Sequence, residues 1–337
     1  MTSPLAFRFA SAAHADRLVA GLPAAARLAR AVRSVAADAP LVLVLPGGSA
    51  LAPRTMAEIA RLAPGIAVEL RTGAEGLVVP GETLPDAAAL AAILAGAAPV
   101  PAASADPAAA LDAAGRAILR GTAKPGDGIV ARAINRPLSR AVSGLLLQLG
   151  WVRPGHATML TALTALAMLA CLLAFPTPAG LAAGAALFQL ASVIDGVDGE
   201  IARATLRSSK AGASLDSLVD ALTNLAFLAG AGISFALQGG QAAALFAAGA
   251  CAVQALGLAL LGRAAWQREG VLHFDTAKRV RQGQQAQRRS LIDAIAARDF
   301  YCFAFMLAAL AGVLDIALGV FLAASLVWLA EVIRTLR

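Results

Sequence analysis

Two short strings place carboxylates where the surrounding sequence is otherwise apolar: Asp195-Gly196-Val197-Asp198-Gly199-Glu200-Ile201-Ala202-Arg203 and Gly212-Ala213-Ser214-Leu215-Asp216-Ser217-Leu218-Val219-Asp220. Between Pro154 and Arg263, these four aspartates and Glu200 are the only acidic residues. Ionisable side chains inside an apolar span are costly and mark function by default. Asp195 and Asp198 are three residues apart and Asp216 and Asp220 four apart, so at about 100° per residue each pair lies within roughly 60° on its helix. Two facing helices can then aim all four carboxylates at one point. Left alone, the four would repel one another and resist burial. Two divalent cations remove that objection, and an all-oxygen donor set suits Mg2+ or Mn2+ better than a thiolate-seeking metal. A two-metal site clamps a phosphate and stabilises charge on the attacking and leaving oxygens, which points to phosphoryl transfer. Gly199, Ala202 and Gly212 leave room for a ligand or a close helix contact, and Arg203 can offset the charge of a bound pyrophosphate.

The elements that must position these groups are membrane helices. Of 337 residues 59% are hydrophobic and only 15% charged, with a mean hydropathy of +0.72, too apolar for an ordinary soluble domain. The net charge of +7 comes with 5% aromatic residues and no nucleic-acid motif, so a positive-inside excess facing anionic lipid is expected rather than nucleic acid. Spans are expected at 156–175, 180–203, 212–236 and 240–262. The apolar run 300–333 would reach roughly 50 Å as one helix, against a hydrocarbon core of about 30 Å, so a hairpin of two short spans is expected, giving six. Arg203, Arg207 and Lys210, and then Arg263, Arg268, Lys278, Arg279, Arg281, Arg288, Arg289 and Arg298, fall on one side, while 176–180 and 238–241 carry no charge. That bias puts both termini and the loop between the acidic helices in the cytoplasm. No basic residue within the spans matches the four acids. Residues 129–149 interleave Arg132, Arg136 and Arg140 with apolar positions, the pattern of an amphipathic helix on the membrane surface, kinked by Pro137.

The string D-x-x-D-G-x-x-A-R, eight unspecified residues, then G-x-x-x-D-x-x-x-D is filled at every specified position. It resembles the signature of the CDP-alcohol phosphotransferase family, integral membrane enzymes that make phospholipids and related phosphodiesters, and the resemblance covers about residues 124–337. It implies attack by an acceptor alcohol on the phosphate of a CDP-alcohol donor, with release of CMP. It implies metal binding by Asp195, Asp198, Asp216 and Asp220, with Asp220 also the general base. Gly199, Ala202 and Arg203 match positions lining the CDP pocket, and Gly212 matches a glycine that permits close packing near it. Two divalent cations, Mg2+ or Mn2+, a homodimer, membrane lipid as neighbour and a bacterial inner-membrane location facing the cytoplasm are also expected. One departure is at the first span: many members have Pro-Asn followed by a threonine, whereas this chain reads Pro154-Gly155-His156-Ala157-Thr158.

The fold expected is mainly α, a six-helix transmembrane bundle with its surface helix, preceded by a small soluble α/β domain over residues 1–123. In that domain 14–37 reads as a helix, 41–45 as a buried strand and 68–79 as two strands, followed by Ala-rich helices at 86–95 and 106–119. No cleavable signal is expected at the N-terminus, and Cys171, Cys251 and Cys302 read as packing residues. Lys124-Pro125-Gly126-Asp127-Gly128 and Ala133-Ile134-Asn135-Arg136-Pro137-Leu138-Ser139-Arg140 resemble the segment that joins a nucleotidyltransferase to the membrane domain in fused members, the best known carrying a di-inositol-phosphate phosphate synthase. Leu45-Pro46-Gly47-Gly48-Ser49 lacks the basic residues of a nucleotide loop and reads as a turn, so the first domain is expected to be a shortened, inactive relative or an unrelated scaffold. A divalent-cation transporter or an intramembrane prenyltransferase would also place acids in a membrane. The transporter gives no reason for Gly199, Ala202 and Arg203 at these spacings, and a prenyltransferase normally carries its two aspartate motifs on well-separated helices, not adjacent spans.

Overall fold

The computed structural model of the chain describes residues 5–73, 76–99, 101, 104–124, 127–269 and 297–336. Lys278, Arg279, Arg281, Arg288 and Arg289 of the expected basic loop lie outside the described residues. Two compact units emerge, one from residues 1–122 with 143–152, the other from 123–142 with 153–337.

The first unit is α/β. Strands β1 (Leu5–Arg8), β4 (Leu41–Val44), β5 (Val68–Arg71) and β6 (Leu77–Pro80) form a parallel sheet in the order β5-β4-β1-β6. Phe7, Leu41, Leu43 and Val79 on one face pack into the larger core with Leu28, Ile59, Leu90 and Leu111, and Ala6, Val42 and Val44 are buried on the other. Burial on both faces is why β4 is an unbroken apolar run. The helix expected at 14–37 is divided: α1 (Ala12–Asp16) is followed by a two-stranded hairpin, β2 (Leu18–Val19) and β3 (Leu22–Pro23), before α2 (Ala24–Val35). Ala20 and Gly21 take positive φ, and Pro23 lacks the N–H a helix interior needs. Helix α3 (Pro53–Leu62) follows the turn at Pro46–Gly48. Asp86 and Asp106 cap α4 (Ala87–Leu94) and α5 (Pro107–Gly121), their carboxylates accepting backbone N–H bonds in the first turn.

The described residues of the second unit are helical, and its first helix runs on into residues that cluster with the first unit. Its entering helix has a wide turn at Ala131–Asn135, with the Arg136 N–H bonded to the Ala131 carbonyl, and continues as α6 (Arg136–Leu149). The i→i+5 turn stands just before Pro137, whose missing N–H cannot bond within the helix. Then come α7 (Pro154–Ala174), α8 (Pro178–Ala204), α9 (Lys210–Leu237), α10 (Gln241–Glu269), α11 (Arg298–Leu310) and α12 (Leu314–Leu336). Among the described residues five helices, α7 to α10 and α12, are long and apolar enough to cross a membrane. The run at 300–333 breaks at Gly312, whose φ is +73°. Its first arm, α11, has 13 residues, about 20 Å at 1.5 Å per residue, and its second, α12, has 23, longer than a short span. The three cysteines are free thiols.

Candidate active site

Local sequence fixes where the acidic helices begin and turn. Thr177 caps α8 by accepting the Gly180 N–H (3.1 Å) and Ser209 caps α9 by accepting the Gly212 N–H (3.0 Å). Between them the chain reverses within 205–209: Thr205 N–H returns to Ile201 O, Arg207 N–H to Ala202 O, and Leu206 takes a left-handed φ of 53°. So short a connection makes α8 and α9 antiparallel neighbours. Deeper in the bundle Phe188 stacks on Phe227 at 4.3 Å between ring centroids. Phe188 precedes Asp195, and Phe227 follows Asp220, by two helical turns each, so this pair sets the register that brings the two aspartates level about 10 Å away.

An oxygen of Asp195, of Asp216 and of Asp220 lie within 4.8 Å of one another, and among the described residues this is the grouping of three or more His, Cys, Asp or Glu side chains able to share a metal ion. The fourth expected ligand, Asp198, is buried and accepts a 2.8 Å bond from the Thr158 hydroxyl of α7. The side chains of Asp195 and Asp220 remain about a quarter exposed, 24% and 26%, so an ion has access to them. Carboxylates alone, close together on two helices, fit a hard divalent cation. Thr158 is the threonine of the first-span pattern, and it keeps its contact with Asp198 although Gly155 stands where many members have Asn. His156 closes the same turn as a cap, its Nδ1 accepting the Arg153 N–H.

Gly199 lies one turn before Arg203, and a Cβ there would fall 2.9 Å from Arg203 Nη1. Its smallness therefore makes room for the guanidinium. Ala202 and Arg203 are half-buried at the end of α8. Gly212 is exposed, and among the described residues a Cβ on it would meet Ser209 Oγ within 4 Å. It sits in the first turn of α9, beside the Ser209 cap.

Several residues at the site were not identifiable from sequence. Arg298, counted with the loop cations, lies at the first turn of α11 and reaches the acids: its Nη1 pairs with Asp220 and lies 3.3 Å from Asp195, and its Nε donates to Asn224 Oδ1 at 3.1 Å. The expectation concerned basic residues within the spans, and Arg298 stands outside them. The partner comes from outside the spans, which a count within them could not find. Asn224 in turn donates to the Tyr301 hydroxyl at 2.7 Å. The neighbouring Asp299 turns the other way and accepts the Ala131 N–H at 2.6 Å, and a Cβ on Gly128 would lie 2.5 Å from its Oδ2.

Behind α8 a second ionic group is closed to solvent. Arg136 donates to both oxygens of Asp127 (2.8 and 2.9 Å), to Glu200 Oε1 (3.2 Å) and, more weakly, to the Gly196 carbonyl (3.4 Å). Ser139 donates to Glu200 at 2.7 Å. Burial pushes the Asp127 carboxyl up, but the Arg136 hydrogen bonds and charge, with the Lys124 N–H, outweigh it and hold it below the usual carboxylate range. Burial likewise pulls the Arg136 guanidinium down, and its two acidic partners more than reverse this. Arg136 and Ser139 thus tie α6 to α8, Asp127 completes the ion group, and Gly128 leaves room for Asp299 of α11.

In the first unit a cleft of about 610 Å3 opens at the carboxyl ends of the parallel strands, beside Arg8, Val44, Thr72 and Glu82, where α/β folds commonly take ligands. The Glu82 carboxylate is already used by the Ala10 N–H (2.8 Å). Gly47 and Gly48 form a turn with positive φ at each, and the start of α3 is met by Asp16, whose two oxygens each accept the Ala52 N–H at 3.1 Å.

An apolar helical bundle with an oxygen-donor centre shared by two adjacent helices defines the broad class, a polytopic membrane protein with a metal-competent acidic centre. Within that class the sequence profile of the CDP-alcohol phosphatidyltransferase family matches residues 154–331, more than half of the chain, and the chain belongs to this family. Relatives named "Bifunctional IPC transferase and DIPP synthase" match from Thermococcus kodakarensis, 41% identical over 114 residues (34% of this chain, 24% of that protein), from Aquifex aeolicus, 42% over 103 residues (31% and 22%), and from Archaeoglobus fulgidus, 39% over 118 residues (34% and 22%). The chain spans about a quarter or less of the length of these curated relatives.

Proposed function

We propose that this chain is an integral membrane transferase that moves a substituted phosphate from a CDP-alcohol to an acceptor alcohol in inositol-phosphodiester or phospholipid synthesis. The observation that carries this reading is the convergence of Asp195, Asp216 and Asp220 inside the segment that matches the family. Asp195, Asp198, Asp216 and Asp220 would hold two divalent cations, Mg2+ or Mn2+, whose charge on the pyrophosphate oxygens makes CMP a better leaving group. Thr158 keeps Asp198 aimed by donating to one of its oxygens, leaving the other for a ligand. Gly199, Ala202 and Arg203 line the cytidine diphosphate, with Arg203 meeting its negative charge. Gly212 contributes through the start of α9, where small size keeps the mouth of the site open. The acceptor oxygen bonds to the phosphorus that carries the donor's alcohol, the bond from that phosphorus to the CMP oxygen breaks, and Asp220 takes the hydroxyl proton.

Six spans follow if α11 crosses together with its neighbours, with the active site, the N-terminal domain over 1–123 and both termini on the cytoplasmic side of a bacterial inner membrane. A homodimer suits the small-residue helices. The N-terminal domain is a scaffold without nucleotidyl transfer: Asp16 takes the helix terminus where a phosphate would sit, and Glu82 is spent on a backbone bond. Incubating the purified chain with Mg2+, a panel of labelled CDP-alcohols and candidate acceptors tests the reading. CMP release by the wild type and none by Asp220→Asn is expected. Release by that variant at the wild-type rate would remove Asp220 from the chemistry, and cytidylyltransferase activity in the purified chain would overturn the view of the first domain.

A further inference from the structure

We infer that Arg298 is an internal counter-ion, a positioning residue that holds the carboxylate centre together without metal and must be displaced from Asp220 and Asp195 when a divalent cation enters. This rests on the reading of those carboxylates as cation ligands. The guanidinium stands where a cation would: Nη1 pairs with Asp220 and lies 3.3 Å from Asp195, two of the three groups whose oxygens converge. Arginine stays charged at any working pH, so proton loss cannot relieve the competition. Two divalent cations already balance four carboxylates, and a guanidinium in the same space would be surplus.

The construction around Arg298 favours a side chain that swings while its backbone stays. Asp299 fixes the first turn of α11 through the Ala131 N–H. Tyr301, one turn on, is wedged against Phe188, Phe305 and Phe321. Asn224, on α9 one turn beyond Asp220, holds Arg298 Nε and donates to the Tyr301 hydroxyl, which marks the resting position. Arg298 Nη2 is buried without a hydrogen-bond partner among the described residues, so the resting position leaves a donor unsatisfied that a phosphate oxygen can use once the side chain has moved.

Mn2+ titration of the purified full-length chain followed by electron paramagnetic resonance, with thermal melting in EDTA, tests this. Arg298→Gln should melt lower than wild type in EDTA, because four carboxylates are then left without a counter-ion. It should also bind Mn2+ more tightly, by about tenfold, a direction that mere loss of structure cannot produce. Arg298→Lys should restore both values part of the way. If Arg298→Gln does not fold, Arg298→Gln with Asp220→Asn removes one carboxylate with the cation and should recover the folded protein. Mn2+ affinity equal to or weaker than wild type in Arg298→Gln, or an unchanged melt in EDTA, overturns the counter-ion role while leaving the cation reading standing. Failure of the wild type itself to bind Mn2+ overturns the cation reading and this inference with it.

Discussion

Arg136→Gln should destabilise the helical unit far more than loss of a surface ion pair would. Exposed pairs are worth about 0–1 kcal/mol, but the side chains of Arg136, Asp127 and Glu200 are only 9%, 7% and 0% exposed. Removing the shared cation leaves two carboxylates closed off from water, and breaking a buried pair in this way costs about 3–5 kcal/mol. For a unit of this size that is a fall in Tm of roughly 10 °C, read by scanning fluorimetry in detergent. Glu200→Gln alone should cost less, about 1–2 kcal/mol, since Arg136 keeps Asp127 and Ser139 keeps an acceptor. The double variant Arg136→Gln with Glu200→Gln should therefore melt above Arg136→Gln, because one stranded charge has gone. A wild-type melt for Arg136→Gln, or a double variant no better than the single, would refute the claim that an unpaired buried charge sets the cost.

The same group predicts an acid limit. The folded Asp127 carboxyl lies below its unfolded value of about 3.9, so its contribution is present above that pH and is lost as pH falls through the folded value; Asp127→Asn should melt below wild type at neutral pH and converge with it under about pH 4. Gly128→Ala would set a Cβ 2.5 Å from Asp299 Oδ2 and should cost about 1–3 kcal/mol, measured by the same melt, whereas an unchanged Tm would mean that contact gives way freely. Thr158→Val should keep the fold but slow CMP release by about tenfold, the worth of one hydrogen bond to a charged group; full activity would take Thr158 out of the site.

Much of the helical structure is legible because its signals are local. The Asp pairs have helical spacing, and Asp86, Asp106 and the 154–174 region announce their helices within a few residues. β1 was not readable, since Leu-Ala-Phe-Arg is too short to show a period and becomes a strand only by pairing with β4 and β6 on either side. The 14–37 helix was overread because its apolar spacing continues through Gly21 and Pro23, where the backbone in fact reverses. At the site, Asp195, Asp216 and Asp220 met as their spacing required. Arg298 is separated from Asp220 by 78 positions, and charge patterning assigns it to a loop along with its basic neighbours; only the packing of α11 brings it inward. Likewise Asp127, Arg136 and Glu200 each look like ordinary charges until α6 is laid against α8.

On the proposed function, divalent cations are held by the carboxylates of α8 and α9 at the point where the CDP-linked phosphate is cleaved. An anomalous difference map from crystals grown with Mn2+ and a CDP-alcohol tests it most directly. Peaks bounded by Asp195, Asp198, Asp216 and Asp220, in contact with the pyrophosphate, are the predicted result. A bound CDP-alcohol with no peak among those four side chains would contradict the account.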